Sequence, residues 1–219
     1  MLDILIAILL LAVLPARGIW NSRNTRTDDP SRAQRYLTTM SIVGVLLVLL
    51  AVDWLLTGRS AAMLGLGIPV TVPAMLGLAA TGILLGIMSL AVRRKIVSGD
   101  MNDQKAGTDI LSESAGEVRL FMLFALMVGF GWEVLYRGFL LLYLPAHIGW
   151  PGAIMAAALA YGLAHGIKTR PQAAASIVAA FAFTIGYVLT RNLWWLIILH
   201  VALPLIGLAA KRYRGEDLS

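Results

Sequence analysis

Residues 37–57 carry a single charged side chain, Asp53, and residues 74–92 carry none. A helix rises about 1.5 Å per residue, so runs of about 20 apolar residues match the roughly 30 Å of hydrocarbon in a bilayer. The rest of the chain has the same character. Of its 219 residues 59% are hydrophobic and only 14% charged, with a mean hydropathy of +0.80. The chain therefore reads as one all-α, polytopic integral membrane domain covering residues 1–219, and its length allows roughly six to eight crossings.

Seven spans account for the apolar runs, at about 2–16, 37–57, 74–92, 118–146, 152–167, 172–190 and 193–210. The first has no basic segment before it, which separates it from a signal peptide. Polar segments divide the others: 17–35 with five arginines, the stretch GLGIPVTVP, the segment 93–117 opening on Arg93, Arg94 and Lys95, and the tail KRYRGEDLS. The fourth span is long for one crossing. Gly129, Phe130 and Gly131 inside it leave two readings, one kinked helix or two short ones, the second giving eight helices in all.

With seven crossings, fifteen of the eighteen Lys and Arg residues fall on one side, Arg59 and Arg191 on the other, and Arg137 within the membrane. Basic residues mark cytosolic loops, so the N-terminus is expected outside and the C-terminus in the cytosol. The net charge of +6 has this same origin, which argues against nucleic acid as a partner. The absence of cysteine excludes disulfides, thiolate catalysis and zinc–thiolate sites, so any chemistry falls to Glu, Asp, His, Ser, Thr or Asn. There is no fixed-period repeat of the kind that builds a solenoid.

Against this background GWEVLYRGFLL, residues 131–141, is conspicuous because Glu133 and Arg137 sit inside an apolar run. An ionisable group in a membrane helix costs at least ~2.5 kcal/mol on insertion scales, and it usually faces the bundle interior. Four residues apart, the two share a helix face and can form a buried ion pair, which by itself is a structural staple. His165, in ALAYGLAHG, and His200, in LWWLIILHVALP, lie on two further spans. A lone histidine in an apolar helix is more often a hydrogen-bonded core residue than a catalyst. Two histidines and a glutamate on three spans are harder to treat separately. His147, in PAHIGWPG, belongs to a short outer loop and needs no catalytic explanation.

A carboxylate and an imidazole can hold a water and remove its proton, and a second imidazole can position that water or donate to a developing oxyanion. Two histidines and a carboxylate also match the ligand set of a catalytic zinc site, which would be Glu133, His165 and His200. The compact HExxH helix motif is absent.

The order Glu-x-x-x-Arg-Gly, aromatic-x-x-x-His, Phe-x-x-Gly before Arg-Asn, and a final apolar helix with His resembles the CPBP family of intramembrane proteases. This is the CAAX-protease and bacteriocin-processing family, also called Abi, and the resemblance covers about residues 118–210. Its motifs, EExxxR, FxxxH and a third His commonly followed four residues later by Asn or Asp, fall on Glu133 and Arg137, on Tyr161 and His165, and on His200. Trp132 stands in place of the first glutamate, and Pro204 in place of the Asn or Asp. The resemblance implies an intramembrane endopeptidase in a bacterial or archaeal cell membrane. Its catalytic residues would be Glu133, His165 and His200, with Arg137 and Tyr161 in support, and its partner a membrane protein or peptide substrate.

Two other readings stand beside it. Trp132 and Pro204 favour an inactive relative that binds a peptide or protein as an immunity or scaffold subunit. Buried Glu and His also suit a small transporter or proton relay. A substitution of Trp132 by the next residue is not a simple swap, because neighbouring helix positions point about 100° apart. Glu133 takes the vacated role only if something re-aims it, and the Gly129/Gly131 break is the expected device. Depth matters too, since Glu133 lies ~20 Å along its helix from Arg119 while His165 is only ~5 Å from Lys168.

Overall fold

The computed structural model describes residues 2–24, 30–98, 115–167 and 169–213. Among them the regular structure is entirely helical. Among the described residues seven long helices follow one another, with a short 3-10 turn Ala61–Leu64 after the second: α1 Leu2–Arg23, α2 Arg32–Thr57, α3 Val72–Ser98, α4, α5 Pro145–Ala164, α6 Arg170–Thr190 and α7 Trp194–Tyr213. Helix α4 comprises Ala115–Trp132, a π-helical segment Glu133–Phe139, and Leu140–Tyr143. The seven expected spans thus correspond to seven helices. Five are long and apolar enough to cross a bilayer, while α5 is bent at Gly149 and the apolar part of α7 is the shorter Trp194–Ala210. The protein is an integral membrane protein.

Local chemistry sets the ends. Ser31 and Gln34 form a reciprocal capping box at the start of α2, and Gly58, at φ 64°, closes it in the left-handed conformation. The Thr169 side chain accepts from Gln172 N at the start of α6, and Asn192 Oδ1 accepts from Trp194 N at 3.1 Å to start α7.

Polar composition understated the helices. Helix α1 runs on through Arg17 to Arg23, α2 begins at Arg32, and α3 continues through Arg93, Arg94 and Lys95 to Ser98. Arginine and lysine are good helix formers, so a helix continues past the hydrocarbon boundary without cost. His147 likewise lies in the opening turns of α5 and not in a loop. Arg26, most of the 93–117 segment, Lys168 and the last six residues lie outside the described residues.

Helix α4 is central. It packs against α2 and α7 and turns back through α5; α1 covers α2 and α5, α6 lies on α5, and α3 lies on α7. All seven residues of Glu133–Phe139 are buried, so this stretch is enclosed on every side. By contrast α3 leaves Leu76, Ile83 and Ile87 exposed, as expected of a helix that meets lipid along most of its length. The loop carrying Arg59 and the turn carrying Arg191 belong to one end of the bundle. Leu193 N donates to Gly65 O at 2.8 Å and Asn192 Nδ2 to Gly67 O at 2.9 Å.

Candidate functional site

The fourth span is not broken at Gly129 or Gly131. Those glycines let neighbouring helices approach: a Cβ at Gly129 would lie 2.8 Å from Val201 Cγ2 and 3.4 Å from the His200 carbonyl carbon. The close crossing of α4 and α7 brings His200 beside Glu133. The helix instead changes to i→i+5 hydrogen bonding at Glu133, with Leu140 N donating to Leu135 O where the segment ends. Such an inserted residue rotates the side chains around it and is frequent at functional sites.

A second π segment, Leu9–Val13 in α1, meets the first. Leu14 N donates to Leu9 O, so in the same register the next donor would be residue 15 to Leu10 O. That residue is Pro15, which has no N–H. The buried Leu10 carbonyl left over accepts instead from the Tyr136 hydroxyl at 3.0 Å. Tyr136 and this contact were not singled out from the sequence; a proline within an apolar helix was the available signal.

Glu133 Oε1 receives two donors. Arg137 Nη1 lies 3.1 Å away and His200 Nδ1 2.8 Å. Both the Glu133 and Arg137 side chains are fully buried, at 0% and 1% exposure. The expected ion pair is present, with an imidazole added. Arg137 also places its guanidinium 3.9 Å over the Tyr161 ring, a cation–π contact strengthened by desolvation. Tyr136 packs edge-on against the same ring at 5.2 Å.

Helix α5, which carries Tyr161, is kinked. Gly149 has φ 69° and ψ 168° inside α5, so the descending helix restarts at Pro151. The 3.9 Å approach of the Arg137 guanidinium to the Tyr161 ring puts the two motifs level.

His165 lies one turn further down. Its Nδ1 is 2.9 Å from the Tyr161 carbonyl oxygen, so that nitrogen donates and the neutral ring presents Nε2 as an acceptor. His200 is placed the same way by Glu133. Both histidines line a cavity of about 280 Å³ together with Glu133, Tyr161, Ser176 and Pro204. It is flanked by α6 and α7. The three residues expected to act together thus share one space, His200 in direct contact with Glu133. His147 lies elsewhere, exposed and with Nδ1 3.0 Å from Tyr143 O.

Three buried polar atoms find no protein partner here: Glu133 Oε2, Arg137 Nε and Arg137 Nη2. In a low dielectric such atoms call for water or a polar ligand. Among the described residues no group of three or more His, Asp or Glu is placed to hold a metal ion.

Trp132 packs its ring against Tyr136 at 5.7 Å. Pro204, at the other departure from the motif pattern, lines the cavity wall.

Residues 114–206 match the family model described as type II CAAX prenyl endopeptidase Rce1-like. The match runs from the start of α4 into α7 and contains Glu133, Arg137, Tyr161, His165 and His200. The resemblance to the CPBP proteases is borne out over that segment. Comparisons with curated proteins and with solved structures gave no match.

Proposed function

We propose that the protein hydrolyses a peptide bond of a membrane-associated substrate inside this cavity, with His200 as general base. The observation that carries the reading is the 2.8 Å contact between His200 Nδ1 and Glu133 Oε1. A carboxylate bound at Nδ1 holds the tautomer whose Nε2 accepts a proton, and it stabilises the imidazolium formed next. Glu133 takes the orienting role, because its Oε1 accepts from both Arg137 and His200. Arg137 holds the carboxylate, and His165, with its own accepting Nε2, shares the water.

The proton balance is simple. His200 Nε2 takes a proton from water as its oxygen attacks the scissile carbonyl. The carbonyl electrons move to oxygen; on collapse the C–N bond breaks and the imidazolium gives its proton to the leaving amine. The products are a carboxylic acid and an amine. The reading takes 1–219 as one domain, the N-terminus outside and the C-terminus cytosolic, in a bacterial or archaeal membrane.

The test is proteolysis by purified protein in liposomes carrying a CAAX-type peptide. Glu133→Gln should lower kcat by about 10⁴-fold, as expected for removing the group that orients an imidazole base. Turnover unaffected by that change ends the assignment. A second reading, a non-hydrolysing binder of the same peptides, is favoured by Trp132 and Pro204; it expects no turnover in the wild type and unchanged peptide affinity in Glu133→Gln.

A further inference from the structure

Hydrolysis at this cavity develops negative charge on the former carbonyl oxygen, and a donor must face it. The position that carries Asn or Asp in the related motif is Pro204, which has neither a side-chain donor nor an N–H. In the same cavity the FxxxH motif carries a hydroxyl, since its aromatic residue here is Tyr161. Resting on the hydrolase reading above, we infer that the Tyr161 hydroxyl is the oxyanion donor of this protein.

Four observations support it. Tyr161 lines the cavity beside both histidines. Its oxygen lies 3.4 Å from His200 Nδ1 and 3.4 Å from Nε2. A hydroxyl equidistant from both ring nitrogens is aligned with neither lone pair, so its proton is not committed to a strong acceptor. The ring is held on several sides: by the Arg137 guanidinium at 3.9 Å, by Tyr136 at 5.2 Å and by His165 edge-on at 4.6 Å. A donor clamped in this way needs no reorganisation as charge develops, which is the condition for effective electrostatic stabilisation. A phenylalanine would make every one of the ring contacts; the hydroxyl alone is extra.

The adjacent cation serves the same end. Arg137 sits over the ring face, where its field favours donation from the phenol oxygen toward an anion. Its role is to position and polarise; Tyr161 makes the contact with the reacting oxygen.

Tyr161→Phe tests this with little risk of misfolding. The expected result is a fall in kcat of about 100-fold with KM and the unfolding temperature unchanged, the loss typical of one oxyanion donor. Introducing Pro204→Asn into that variant should restore part of the rate by adding a side-chain donor to the cavity lining. A phosphinate peptide, whose tetrahedral anion imitates the adduct, should bind Tyr161→Phe weaker by the same factor, while the ground-state peptide binds both proteins equally. A kcat within twofold of wild type overturns the inference and leaves the hydrolase reading intact. Wild-type protein that turns over no peptide defeats the hydrolase reading; equal phosphinate affinity in wild type and Tyr161→Phe then defeats the oxyanion assignment separately.

Discussion

Two arginine–carboxylate clusters occupy opposite situations in this bundle. At one end Arg59 grips Asp3 with both terminal nitrogens, at 2.9 and 2.8 Å, reaches Asp53 at 3.3 Å and lies 4.9 Å from the Trp54 ring. Its side chain is 27% exposed, and the hydrogen bond to Asp3 raises its pKa above the ordinary value. In the interior, Arg137 makes one contact to Glu133 and leaves Nε and Nη2 without protein partners, as Glu133 leaves Oε2. The outer cluster is satisfied and ties α1 to α2. The inner one is under-satisfied, fully buried and next to a cavity, which is the condition of a site that expects a polar visitor.

Substitutions can break this contrast in descending order of effect. After Glu133→Gln, the largest belongs to His200→Ala, which should cost between about 10² and 10⁴ in kcat, the range for a lost general base. Next comes stability: Arg137→Met strands a buried carboxylate and should destabilise by about 3–5 kcal/mol, read from unfolding in mild detergent. The pair Glu133→Leu with Arg137→Met should recover most of that loss while abolishing turnover, because removing both charges removes the penalty. If the double variant is no more stable than the single one, the cluster is a structural staple after all.

Smaller effects test the joints. Tyr136→Phe leaves the Leu10 carbonyl unsatisfied and should cost about 1–3 kcal/mol. At the outer cluster, Arg59→Gln should cost roughly 1 kcal/mol or less, shrink further in high salt, and leave kcat alone. A loss of turnover there would mean that the two clusters are coupled through α1, contrary to the contrast drawn above.

Much of the architecture was legible in the order of residues. Helices, their number and the pairing of the Arg59 and Arg191 ends follow from apolar runs and charge placement, because hydrocarbon imposes one length and one polarity rule on every crossing. Ends were less legible: Arg23, Arg93 and Lys95 looked like loop and proved helical, since leaving the hydrocarbon does not require leaving the helix. For the site, the Glu133–Arg137 pair was readable from four-residue spacing, and His165 and His200 from their cost in lipid. Gly129 and Gly131 were readable as special but for the wrong reason, as close approach looks the same as a break in a single sequence.

What the sequence determined by itself was which groups are too costly to face lipid, a matter of each side chain and its immediate neighbours. What the tertiary structure alone decided was which of those groups meet. The Gly129 crossing that delivers His200 and the meeting of Arg137 with Tyr161 each depend on a helix distant in the chain. Contacts of that kind are set by packing in three dimensions, and no local spacing encodes them.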